Sequence, residues 1–83
     1  MIKFVSRRNI IGPRVKKLRN ASVPRISQLE LIARLQVLGV SINQPTLSKI
    51  ETGCRPVSDI ELIAFAEALK VPVSQLFEST DEN

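Results

Sequence analysis

The apolar positions of the chain fall into runs with helical spacing, divided by short polar breaks. Ile11, Val15 and Leu18 recur at i, i+4 and i+7 and predict a first helix over about 11–19. Gly12-Pro13 suits its opening turn, where proline gives up no hydrogen bond. Arg14, Lys16 and Lys17 lie off that stripe and are expected in solvent, whereas Arg19 sits at its edge. Pro24 breaks the connector 20–26. Ser27 with Glu30 three residues on has the form of a capping box and opens a second helix. Leu31, Leu35 and Leu38 point inward from it with Ile32 beside them, and Gly39 is expected to end it in the left-handed region.

The stretch Ile42–Gly53 reads as a short third helix. Leu47, Ile50 and Glu51 share one face; at about 100° per residue, Pro45, Lys49 and Thr52 point the opposite way, flanked by Thr46 and Ser48. A helix this short is not stable alone in water and must be mounted on others. Its start is ambiguous. Asn43 is the better cap by side-chain chemistry. Pro45 disfavours a helical conformation at Gln44, which favours Gln44 as the cap and Pro45 as first helical residue, and this second register is the one expected. Gly53 closes the helix.

Ser58 and Glu61 form a second capping box, with Asp59 near the positive end of a fourth helix running to about Leu69. Ile60, Ile63, Ala64 and an Ala/Leu face are expected to pack inward. After the break at 70–73, Leu76 and Phe77 make a last turn that seals the core or meets a partner. The chain thus divides into a basic arm at 1–10, which reads as either flexible or a short strand, one domain at 11–77, and a polar tail at 78–83.

Composition narrows the class. The 83 residues suffice for one domain with a modest core. Three Phe and no Tyr or Trp suit a small bundle of aliphatic helices better than a sandwich or barrel. No apolar run is long enough for a membrane span or a signal peptide, and the single Cys54 fits a reducing cytoplasm. Charge is divided unevenly. Residues 1–57 hold eleven Lys/Arg and two acids, a net of +9; residues 58–83 hold one Lys and six acids, a net of −5. Such a division suits one face turned toward a polyanion and another turned away, or two segments that neutralise each other within the fold.

Two successive helices joined by a short turn, the second with a polar outer face, describe a helix-turn-helix. Its second helix would read the major groove of double-stranded DNA. Gln44 suits adenine, Lys49 suits guanine, Thr46 suits bases or phosphates, and Pro45 can press on a thymine methyl. Ser27 and Gln28, at the start of the second helix, and Ser48, Thr52 and Arg55 suit phosphates, as do the backbone amides of the loop Gly53-Cys54-Arg55. Arg19 and Glu51, each a charge at the edge of an apolar stripe, are expected to pair, which would also set Arg19 near a phosphate. Arg7-Arg8 suit a solvated arm or contact with phosphate or the minor groove.

Four segments together resemble a known family. Gly12-Pro13-Arg14-Val15-Lys16-Lys17-Leu18-Arg19, Ser27-Gln28-Leu29-Glu30-Leu31-Ile32-Ala33, Thr46-Leu47-Ser48-Lys49-Ile50-Glu51-Thr52-Gly53, and Glu61-Leu62-Ile63-Ala64 to Ala68-Leu69-Lys70-Val71 are similar to the Cro/lambda-repressor-like (XRE) helix-turn-helix DNA-binding domain. The resemblance covers about 11–77. It implies an all-α, compact five-helix bundle acting as a sequence-specific, usually dimeric regulator. By the same resemblance Gln28 matches a phosphate-touching glutamine, Gln44, Pro45, Thr46 and Lys49 match base-facing positions, and Arg19 and Glu51 match an interhelix ion pair. The connector before Ser27 and the segment 36–42 are each a few residues longer than in the shortest members. Pro45 also lowers the number of hydrogen bonds available at its base-facing position.

An enzyme is the poorer alternative. The chain has no His, no glycine-rich phosphate loop and no zinc-ligand cluster, so no catalytic residue, metal, cofactor or small-molecule ligand is expected. Cys54 is expected to be an incidental thiol, the alternative being a redox-sensitive contact. The expected partners are double-stranded DNA and a second copy of the chain, with any signal arising from abundance, a partner or DNA. The competing class is an adaptor or antitoxin-like module that uses the same bundle to bind protein. Its weakness is the lack of large apolar or aromatic anchors on the outer face of the third helix.

Overall fold

Ser, Asn and Gly punctuate the helices of this chain, and their positions set the architecture. The computed structural model describes residues 10–77. In it α1 spans Ile11–Ala21, α2 Gln28–Val37, α3 Gln44–Glu51 and α4 Asp59–Leu69, and a 3-10 turn follows at Val73–Phe77. No strand occurs among the described residues, and the class is all-α. The fifth helical element expected from the sequence is a single 3-10 turn, not an α-helix. Residues 1–9 of the basic arm, with Arg7-Arg8, and the tail 78–83 lie outside the described residues. No helix among the described residues is long and apolar enough to cross a membrane.

One core joins the elements. Val15 of α1, Leu31 and Leu35 of α2, Leu47 and Ile50 of α3, Phe65 of α4 and Leu76 of the final turn are all fully buried. α1 packs on α3, α2 packs on both α3 and α4, and the 3-10 turn closes against α1 and α4. Leu76 seals the core, while Phe77 beside it stays exposed.

The helix ends follow from local chemistry. Ser27 accepts the Glu30 amide and Asn43 accepts the Thr46 amide, while Ser58 and Glu61 complete a reciprocal capping box. α2, α3 and α4 all terminate in the same paired closure. The Gly39 amide donates to the Gln36 carbonyl and Val40 to Leu35; Gly53 donates to Ile50 and Cys54 to Lys49; Lys70 donates to Glu67 and Val71 to Ala66. Such a closure places one residue at positive φ. Gly39 (92°) and Gly53 (84°) adopt it without steric conflict, whereas at α4 the position falls to Lys70 (59°).

Several expectations are corrected. α3 starts one residue early, with Asn43 as cap, Gln44 as first helical residue and Pro45 second. Proline has no amide proton to lose there, and the Asn43 carboxamide fixes the turn. The box at α2 is only half formed, because the Glu30 carboxylate pairs with Arg34 at 2.8 Å instead of reaching back. Arg14 is half-buried and donates to the Gln75 carbonyl at 2.9 Å, tying α1 to the final turn. The phase of α4 is rotated: Ala64, Phe65, Ala68 and Leu69 face the core, while Ile60 and Ile63 are 69% and 58% exposed. A helix apolar on nearly all sides carries no periodic signal of its phase, and the bulkiest side chain, Phe65, takes the core. Leu38, just past the end of α2, is also exposed, at 42%.

Candidate nucleic-acid interface

The eight residues of α3 are held from beneath and left bare above. Leu47 and Ile50 anchor it in the core. Glu51 joins them, only 3% exposed, because Arg19 of α1 meets it there. Arg19 Nε donates to Glu51 Oε2 at 2.8 Å and Nη2 to Oε1 at 2.9 Å, a bidentate pair closed off from solvent. Arg19 Nη1 donates to the Ile26 carbonyl at 3.0 Å, so the same guanidinium also pins the connector before α2. This fixes the role of Arg19. With the guanidinium engaged on two sides and sealed from solvent, it has no surface to offer a phosphate, and that expectation is withdrawn.

The pair extends outward through amides. Gln28 Nε2 donates to Glu51 Oε1 at 3.0 Å and lies 3.3 Å from Ser48 Oγ. Gln28 Oε1 accepts from Gln44 Nε2 at 3.0 Å. A continuous chain of polar contacts therefore runs from buried Arg19 through Glu51 and Gln28 to the exposed Gln44. Sequence reasoning placed Gln28, Gln44 and Glu51 separately and missed their connection. The available signal was that Gln28 and Gln44 each occupy the first position of a helix.

Gln44, Pro45, Lys49 and Thr52 are exposed, and Thr46 and Ser48 are half-buried on the flanks. The outer face expected from helical spacing is thus assembled on one side of α3. The Lys49 ammonium has no side-chain partner among the described residues. Thr52 directs its hydroxyl to the Lys49 carbonyl at 3.1 Å, which engages its only proton. As a donor to phosphate it is therefore withdrawn. Ser27 is exposed beside Gln28 at the start of α2, where the first backbone amides have no intrahelical acceptor.

The loop after α3 differs from expectation. The amides of Gly53, Cys54 and Arg55 all donate to carbonyls of α3, to Ile50 and, twice, to Lys49. They are not available to a phosphate. The Arg55 guanidinium grips Glu61 at 3.0 and 3.1 Å and also donates to the Pro56 carbonyl. The hydrogen bond to Glu61 raises the Arg55 pKa. The Glu61 carboxyl is held below its ordinary value chiefly by the hydrogen bonds from Arg55, which outweigh the opposing effect of burial, with a smaller contribution from the Ser58 amide. Arg55 is thereby a strut at the start of α4. Cys54 is exposed and unbridged.

Compared with protein-family models, curated proteins and solved structures, the chain matches none.

Proposed function

We propose that this chain is a cytoplasmic, sequence-specific regulator of transcription, a repressor, that binds double-stranded DNA as a homodimer. In this reading it belongs with the Cro/lambda-repressor-like (XRE) domains it resembles. α2 and α3 form the helix-turn-helix, with the final 3-10 turn in the place of a fifth helix. The observation that carries the reading is the mounting of α3: core residues and a buried ion pair on one side, and Gln44, Pro45, Thr46 and Lys49 presented on the other. These four would meet base edges in the major groove. Ser27 and Ser48 would meet phosphates, helped by the first amides of α2; the Gln28 amide, expected at a phosphate from the sequence, is engaged by Glu51 and Gln44 instead.

A second reading, an adaptor or antitoxin-like module, draws on one observation: the exposed Ile60, Ile63 and Leu38. Selection of binding sites from random duplexes, followed by titration at several salt concentrations, separates the two. A regulator enriches one motif, and Lys49→Ala then relaxes preference at a single base pair by roughly 1–3 kcal/mol. Weak binding that enriches nothing and vanishes with salt overturns the reading in favour of the adaptor.

A further inference from the structure

α1 and α3 each pair a buried stripe with a polar face, but α4 does not. Its inward side carries Ala64, Phe65, Ala68 and Leu69, and its outward side carries Ile60 and Ile63. These line an open groove of about 240 Å³ with Leu38 and Val40. Leu38 and Glu67 continue it into a second groove that reaches Val37, 87% exposed, and Lys70. Aliphatic side chains gathered side by side at the surface in this way offer a contact surface.

Its charges say what covers it. Glu67 and Lys70 stand at its edge, three residues apart, and neither has a side-chain partner among the described residues. One unpaired acid beside one unpaired base is self-complementary under a twofold axis. The strip also lies largely on the acidic part of the chain, so two copies can meet there while their basic parts stay apart. A nucleic acid fits it poorly, since its floor is aliphatic, Arg34 at its rim already pairs with Glu30, and Lys70 stands beside the Glu67 carboxylate.

We propose that this strip is the homodimer interface, with Leu38, Ile60 and Ile63 packed about the twofold and Glu67 reaching Lys70 of the partner subunit. The assignment deepens the proposed function, on which the need for a two-copy assembly rests. Its test is done without DNA, on the full 83-residue chain. Sedimentation equilibrium over a range of concentrations should show a reversible monomer–dimer equilibrium. Ile63→Glu should raise the dimer dissociation constant on the order of tenfold or more. Both Ile60 and Ile63 are exposed, so helix content and the monomer's melting should be retained, and Ile60→Glu provides a second variant. Glu67→Lys alone should weaken the dimer, and adding Lys70→Glu should restore it.

A chain that stays monomeric at every concentration overturns the proposal, as does a dimer indifferent to Ile63→Glu and Ile60→Glu. Failure of the double charge exchange to restore association overturns the pairing at the edge. The two readings fail separately. If Ile63→Glu is monomeric yet still binds a single selected half-site, both stand. Failure of every variant and the parent to select DNA removes the regulator reading and leaves the interface intact.

Discussion

Arg19 and Glu51 meet in two parallel hydrogen bonds of 2.8 and 2.9 Å, with both residues 3% exposed, and so lock α1 to the last residue of α3. Breaking such a pair from one side strands a buried charge. Arg19→Met and Glu51→Met should each destabilise the fold by about 3–5 kcal/mol. The double variant Arg19→Met/Glu51→Met should cost less than the sum, because no lone charge remains. Midpoints of urea unfolding for the four chains test this; strict additivity would mean that the two residues do not act as a pair.

Gln28 couples that buried pair to the exposed Gln44. Gln28→Met keeps the length of the side chain and removes both amide functions. Stability should change by about 1–2 kcal/mol, through lost hydrogen bonds to a carboxylate and an amide. In the proposed regulator, preference at the base pair read by Gln44 should fall, while preference at the pair read by Lys49 is kept. Binding measured against single-base variants of the selected site distinguishes this from a uniform loss.

The Arg55–Glu61 pair makes a pH prediction. The folded Glu61 carboxyl titrates below the ordinary value of 4.5, to which it returns on unfolding. The unfolded chain therefore binds a proton more readily. The stabilisation is fully present above the unfolded value and is lost as pH falls through the lower folded one. Arg55 stays cationic throughout. Arg55→Ala should lower stability at neutral pH, and the difference from the parent should shrink on acidification. The effect is small because the pair is partly solvated. Thermal melts at neutral and acid pH provide the check.

Lys70 occupies the positive-φ position that closes α4, where Gly39 and Gly53 close α2 and α3. An L side chain there costs about 1–2 kcal/mol relative to the right-handed region. Lys70→Gly should stabilise the monomer by about 1 kcal/mol, or roughly 4–8 °C in Tm for a domain of this size. Melts should be recorded at a dilution where the parent sediments as a monomer. An unchanged or lower Tm would mean that the lysine contributes more than its backbone conformation removes.

How much could be read beforehand depended on the kind of signal. The stripes Ile11/Val15 and Leu31/Leu35 stand out against polar neighbours, so the phases of α1 and α2 were legible. So was the face of α3, where Leu47, Ile50 and Glu51 oppose Pro45 and Lys49. α4 was not, because Ile60, Ile63, Phe65 and Leu69 surround it and only tertiary packing chooses among them. The cap at Asn43 went to side-chain chemistry over the restriction that proline places on its predecessor. Arg55 illustrates a wider limit. A basic residue in a loop looks the same in sequence whether it waits for a phosphate or already holds a carboxylate six residues on.

The chain of amides leading out from Glu51 also has a direction. A carboxylate only accepts, so Gln28 must turn its NH₂ toward it and its carbonyl oxygen toward Gln44. Gln44 must then answer with its own NH₂, which leaves its carbonyl oxygen without a partner among the described residues. The order of donor and acceptor that Gln44 presents at the surface is thus dictated by a charge sealed in the interior. Any ligand of α3 meets an amide whose orientation has already been chosen.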